Sequence, residues 1–230
     1  HVFLTPTGFG SIFLAIFSLV RPGDEILVSD PSYKPTRRFT EDFLKDFNIK
    51  TIFYNPNDLN TLRKNISKNT KLIFVENPGS NTFDFQDLSK IIQIAKKHKI
   101  PIVEDACQSI LASISKKNSG TWSNFGAFSL HPLKNINVWS DGGIIVTSNK
   151  KYYKYLKLLR NHGLEDRDHV KITGYNSRLD TLQAVVGNWL LPQAKNIAAE
   201  RISNANYYDK EFSKIKEIKD LFLWLKRKKR

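Results

Sequence analysis

Apolar and polar positions along the chain fall into blocks of two kinds. Residues 11–20 have the length and apolar density of a buried helix, and Arg21-Pro22-Gly23-Asp24 ends it with a proline and a glycine. Short apolar runs at 25–29, 50–54, 71–75 and 100–103 read as strands; Lys71-Leu72-Ile73-Phe74-Val75 is continuous, as in a strand covered on both faces. Between them the spacing turns helical. Phe39, Phe43 and Phe47 recur every fourth residue within 36–47, a further helix is expected over 57–67, and Leu88, Ile91, Ile92 and Ala95 share one face of 88–98. Farther on, strands are expected at 127–130 and 144–147, a helix at 150–160, and a long helix at 178–195 with Leu179, Leu182, Val186, Trp189 and Leu190 on one face; helical character continues over 198–212. The alternation predicts one large α/β domain followed by helices.

Composition narrows the class. With 230 residues, 40% of them hydrophobic and 12% aromatic, the chain can bury the core of one large domain or of a domain with an appendage. Its single cysteine, Cys107, cannot form an internal disulfide, which fits a reducing compartment, so the cytoplasm is expected. The longest candidate for a membrane span, 12–20, falls well short of the ~18 residues required, and no signal peptide is read at the start. No methionine occurs, even at position 1, so the chain reads as the interior of a longer protein. A net charge of +14 and the basic end Lys226-Arg227-Lys228-Lys229-Arg230 invite a nucleic-acid partner. Other lysines, such as Lys151, Lys154 and Lys157, are dispersed along helical stretches amid abundant Asn and Ile, so the expectation is a solvated basic surface and no nucleic-acid partner.

Candidate chemistry centres on two residues. Asp105 lies just past the expected strand 100–103, in Glu104-Asp105-Ala106-Cys107-Gln108; Lys134 lies in Ser129-Leu130-His131-Pro132-Leu133-Lys134-Asn135, followed by Gly142-Gly143. In open α/β sheets the carboxyl ends of the strands are where ligands bind. Pyridoxal phosphate needs an amine to hold its aldehyde as a Schiff base and a carboxylate to keep its ring nitrogen protonated, so that the ring can take electrons from a substrate carbanion. Alone, Asp105 reads equally as a helix cap or a surface acid, and Lys134 as an ordinary solvated lysine. Their combination, with Gln108 three residues after the acid and glycines allowing close backbone approach after the lysine, favours the cofactor. Gly8-Phe9-Gly10-Ser11 opens a helix whose free N–H groups suit a phosphate, Ser129 offers a hydroxyl to the same group, and Tyr33 could stack on the ring. No metal is expected: His131, His162, His169 and Cys107 match no compact ligand spacing. No serine sits in a nucleophile elbow either.

At these residues the chain resembles the fold type I pyridoxal-phosphate enzymes, and from about residue 100 to 212 it is similar to the DegT/StrS family of sugar-nucleotide aminotransferases. The stretches that carry the likeness are Val103-Glu104-Asp105-Ala106-Cys107-Gln108, Phe128-Ser129-Leu130-His131-Pro132-Leu133-Lys134-Asn135, Asp141-Gly142-Gly143-Ile144-Ile145-Val146-Thr147, Leu158-Leu159-Arg160-Asn161-His162-Gly163 and Gly174-Tyr175-Asn176-Ser177-Arg178-Leu179-Asp180-Thr181-Leu182-Gln183-Ala184. The resemblance implies a mixed, mainly parallel sheet flanked by helices, with a cofactor-binding large domain over 1–190 and the helical start of a truncated C-terminal region over 191–230. It implies that Lys134 is the Schiff-base lysine and proton shuttle, that Asp105 pairs the pyridine nitrogen, that Gln108 lies against the ring, and that Ser129 with the backbone at Gly8 and Phe9 holds the phosphate. Asn176 would reach the phosphate of a neighbouring subunit, which implies a homodimer. The implied reaction moves an amino group from an amino acid, expected to be glutamate, to a keto-sugar nucleotide.

Three departures matter. Thr7-Gly8-Phe9 stands where the family usually carries Ser-Gly-Thr, which removes a hydroxyl contact. The loops Asp30-Pro31-Ser32-Tyr33-Lys34-Pro35-Thr36 and Glu76-Asn77-Pro78-Gly79-Ser80 look closer to cystathionine β-lyase, and so a carbon–sulfur lyase is the alternative activity. After about Ile218 the family's small domain gives way to Leu221-Phe222-Leu223-Trp224-Leu225 and the basic end, leaving a catalytically incompetent fragment as a third reading.

Overall fold

The computed structural model describes residues 1–218. Leu221-Phe222-Leu223-Trp224-Leu225 and the basic end 226–230 therefore lie outside the described residues.

The main sheet has seven strands: β1 (Val2–Thr5), β2 (Glu25–Ser29), β3 (Lys50–Tyr54), β4 (Thr70–Glu76), β5 (Ile102–Asp105), β8 (Phe125–Ser129) and β9 (Gly143–Val146), in the order β1-β9-β8-β5-β4-β2-β3. β3, β2, β4, β5 and β8 run parallel, while β9 is antiparallel to both β8 and β1. This is the mixed, mainly parallel sheet that the resemblance implied. Its central strands bury side chains on both faces, as the unbroken apolar runs required. Ile26, Val28, Leu72, Phe74 and Val103 pack on one side with α1 (Gly8–Phe17) and α6 (Lys150–Leu159); Leu27, Ile73, Val75 and Ile102 pack on the other with α4 (Leu59–Asn65) and α5 (Leu88–Lys97). The period of two within each strand thus assigns residues to two cores.

Helix boundaries differ from the expected ones for identifiable reasons. α1 starts at Gly8, three residues before the expected position, because the Thr7 side chain caps it by accepting from the Gly10 N–H at 2.7 Å. The expected helix 36–47 is split into α2 (Lys34–Arg38), a π-helical turn (Phe39–Phe43) and α3 (Leu44–Asp46). The wider turn keeps the three phenylalanines together: ring centroids are 5.6 Å apart for Phe39 and Phe43 and 4.9 Å for Phe43 and Phe47.

Two elements had no sequence signal. β1 pairs with β9 at the very start of the chain. The hairpin of β6 (Ser113–Ile114) and β7 (Lys117–Asn118) turns through Ser115 and Lys116, both at positive φ, without the Asn-Gly signal that usually marks such a turn.

The expected helix 178–195 proves shorter. α7 (Thr181–Leu190) begins with a capping box between Asp180 and Gln183, a 3₁₀ turn follows at Leu191–Gln193, and α8 (Ala194–Phe212) continues the chain. Val186 is buried, and Leu179 and Leu190 pack against the cluster of Leu130, Ile136, Val138 and Ala194. Leu182 and Trp189, placed on the same apolar face from sequence, are instead 71% and 65% exposed. Among the described residues no helix is long and apolar enough to cross a membrane.

Candidate functional site

The carboxyl ends of β4, β5 and β8 open into a cleft of about 550 Å³. Seven of the residues singled out from sequence line it: Gly8, Phe9, Tyr33, Asp105, Gln108, Ser129 and Lys134. Asp105 is the last residue of β5 rather than the first beyond it. Strand alternation decides which of two neighbouring acids faces the cleft. Glu104 lies on the other face and accepts from the backbone N–H groups of Gly120 (2.6 Å) and Trp122 (3.2 Å), an acid used to fix a loop. Asp105 accepts from the Cys107 N–H at 3.0 Å. Burial raises its carboxyl above the ordinary range, opposed by the Cys107 hydrogen bonds and by the charge of Lys134. The same burial, with Asp105 beside it, pushes the Cys107 thiol well up and leaves it a poor nucleophile.

Lys134 is half-buried, and its Nζ donates to Gln108 Oε1 at 2.7 Å. Its loop is tied at both ends. Leu130 N–H donates to the Gly142 carbonyl at 2.7 Å, and Lys134 N–H to the His131 carbonyl at 2.8 Å. Gly142 is needed here because a Cβ would stand 2.7 Å from Val138 Cγ2. At the other side of the cleft, Gly8 and Phe9 begin α1, where the first N–H groups have no preceding turn to bond. A Cβ on Gly8 would stand 2.6 Å from the Ser129 Cβ, so the start of the helix and the end of β8 touch only because residue 8 is glycine. Ser129 Oγ accepts from His131 N–H at 3.3 Å. The Thr7 hydroxyl is committed to the helix cap.

Glu76 was not singled out from sequence, yet it lines the same cleft. It ends β4 in register with Asp105. One carboxylate oxygen accepts from the Tyr33 N–H at 2.6 Å and the other from the Ser80 hydroxyl. Burial, reinforced by the charge of Asp105, pushes its pKa up to about 8. The available signal was an acid terminating an otherwise apolar run. Tyr33 lines the cleft while remaining exposed, anchored through its backbone.

Asn176 does not join these residues. It is exposed, bridges Asn161 and accepts from Arg178 Nε at 3.1 Å. The histidines do not converge, since His131 lines the cleft whereas His169 pairs with Asp166 at 2.8 Å. Among the described residues no group of three potential metal ligands occurs.

A buried acid, an amine and a helix start closed by a glycine therefore surround one cleft at the sheet's carboxyl edge. These are the groups that a cationic ring, a carbonyl and a phosphate require, an acceptor for the first and an amine and N–H donors for the others, so the residues present fit pyridoxal phosphate. Sheet and site together define the fold type I class of pyridoxal-phosphate-dependent enzymes. The chain belongs to the DegT/DnrJ/EryC1/StrS aminotransferase family, whose profile matches residues 12–227. It is 40% identical over 100 residues to UDP-N-acetyl-3-dehydro-alpha-D-glucosamine 3-aminotransferase of Acidithiobacillus ferrooxidans, covering 44% of this chain and 27% of that protein. It is 39% identical over 102 residues to a putative cystathionine beta-lyase of Saccharomyces cerevisiae, covering 44% of this chain and 30% of that protein. The structure of NtdA from Bacillus subtilis with bound cofactor PMP superposes with a TM-score of 0.76 at 26% identity, over 94% of this chain and 50% of that one. The chain thus spans less than a third of these two curated relatives and half of NtdA.

Proposed function

We propose that the chain is the cofactor-binding part of a pyridoxal-phosphate-dependent aminotransferase, which moves an amino group from glutamate to a keto-sugar nucleotide. One observation carries the reading: Asp105 and Lys134, from different elements, line one cleft with the Gly8–Ser129 contact. When bound, pyridoxal phosphate supplies an electrophilic carbonyl and a ring that withdraws electrons from the carbon bearing the amino group.

The chain's own residues do the rest. Lys134 Nζ would hold the cofactor carbonyl and serve as the proton carrier at the substrate carbon, and Gln108 Oε1 orients it by accepting its hydrogen bond. Asp105, buried at the end of β5, would pair with the ring nitrogen and hold its proton. Gln108 and Tyr33 confine the ring. The N–H groups of Gly8 and Phe9, with Ser129 Oγ, bind the phosphate. Asn176, exposed and outside its own chain's cleft, reaches the phosphate site of a partner subunit in a homodimer. The unpaired Cys107 suits the cytoplasm.

The family match over most of the chain supports transamination; the yeast relative favours a cystathionine-cleaving lyase as the second reading. Incubation with glutamate decides between them. Conversion of the bound cofactor to its pyridoxamine form is expected, whereas release of pyruvate and a thiol from cystathionine, with no amino transfer from any donor, would replace the transferase by the lyase.

A further inference from the structure

Glu76 has no part in the reading above, yet it is placed as deliberately as Asp105. The two acids end neighbouring parallel strands in register, so their side chains leave the same face of the sheet, on backbones about 4.8 Å apart. Each is only 3% exposed. Two carboxylates in such surroundings cannot both be charged at low cost, and one proton is retained between them. The groups that face the pair are few. Lys134 reaches Asp105 electrostatically but directs its Nζ to Gln108; Cys107 is neutral; Tyr33 and Ser80 offer Glu76 an N–H and a hydroxyl. Of these, Lys134 alone brings a positive charge. His131 and the acid Asp141 also line the cleft, and Glu104 lies beside Asp105 on the opposite face of β5.

A ring carrying a positive charge changes this balance. Once it pairs with Asp105, the cost of a second negative charge falls, because the cation now offsets the neighbouring carboxylate. We propose that Glu76 is a positioning residue of the cofactor site, protonated while no cationic ring rests on Asp105 and ionised when one does, so that cofactor loading releases a proton. Two donors already wait for its carboxylate, at Tyr33 and Ser80, so ionisation needs no rearrangement of the loops they belong to. The link also ties Tyr33 to the charge state beneath it, since the Tyr33 backbone N–H bonds Glu76 directly.

The inference rests on the proposed cofactor and is tested with pyridoxamine 5′-phosphate, which binds without forming a bond to Lys134. Calorimetry in buffers of different ionisation enthalpy counts the protons released per molecule bound. The wild-type protein should release more than Glu76→Gln, by between roughly half and one proton at pH 7, and the difference should vanish above about pH 9, where Glu76 is already ionised in the free protein. Titrations of the ligand's own groups are common to both proteins and cancel. Equal proton counts would overturn the proposal; absence of pyridoxamine phosphate binding to the wild type would instead overturn the cofactor assignment. Infrared difference spectra of the wild type with isotope-labelled glutamate give a second reading that needs no variant. A labelled protonated-carboxyl band should be lost on adding pyridoxamine phosphate, and its persistence would contradict the ionisation of Glu76.

Discussion

The carboxyl edge of the sheet and the helices over 181–212 are built on opposite principles. At the sheet edge, polar side chains are buried and hydrogen-bonded within the chain: Thr5 to Ser11, Glu76 to Ser80 and Tyr33, Asp105 to Cys107. In the helices, apolar side chains stand in the open, among them Leu182, Val185 and Trp189 on α7 and Ile202, Tyr207 and Tyr208 on α8. Burying polar groups at that edge is costly unless they are paired, so the sheet end is organised for a small charged ligand. Exposing a contiguous apolar face is equally unusual, and it suits a large surface rather than a small molecule. The polar groups of one region find their partners within the chain, whereas the apolar groups of the other remain exposed among the described residues.

Substitutions can sharpen or break that division. The largest effect is expected of Lys134→Ala, which should abolish the visible absorbance of covalently held cofactor and lower turnover by on the order of 10³-fold or more; an unchanged band would move the lysine assignment elsewhere. Asp105→Asn should retain some cofactor but lose about 10²-fold in turnover, since a neutral amide cannot stabilise the ring's charge. Near-normal rates would remove Asp105 from the site. Neither change should alter the oligomeric state.

The carboxylate pair also sets a pH dependence of stability. Both Glu76 and Asp105 have raised pKa values in the folded protein, so their contribution is complete below the ordinary carboxylate range, near pH 4.5, and is lost as pH rises through about 8 for Glu76. The loss is on the order of a few kcal/mol. The thermal midpoint of the cofactor-free protein should therefore fall between pH 5 and 9, and Glu76→Gln should flatten the slope; parallel curves for the two proteins would show that Glu76 is ionised throughout. Smaller effects belong to the other region. Trp189→Ser should reduce self-association measured by light scattering in dilute solution. Asn176→Ala should weaken cofactor affinity by about tenfold, although Asn176 lies outside its own chain's cleft. A monomer with full cofactor affinity would defeat the shared site.

Much of this arrangement could be read in the residues themselves. The central strands were legible because burial on both faces forces a continuous apolar run, and the meeting of Asp105, Lys134 and Gly8 at one cleft was legible because the βα order brings strand ends and helix starts to the same edge. Glu76 escaped because an acid after Val75 reads as the start of a loop; only the pairing with Asp105 places it on the cleft side. Leu182 and Trp189 were assigned a buried face because period alone says which residues share a side, never what packs against it. The turn at Ser115 and Lys116 was illegible because neither residue type favours positive φ.

The antiparallel strand β9 carries one more consequence. Ser129 and Gly143 are paired across β8 and β9, so the segment 130–142 that holds Lys134 leaves and re-enters the sheet at adjacent points. Its ends are fixed by the sheet whatever lies between them. Closing a longer loop over the same two points costs little, about 0.6 kcal/mol for a doubling of length. The loop around Lys134 can therefore be lengthened, shortened or re-sequenced while Asp105, the start of α1 and the loop's two anchors stay put. The sheet sets the geometry of the rim, and the loop between Ser129 and Gly143 sets its shape.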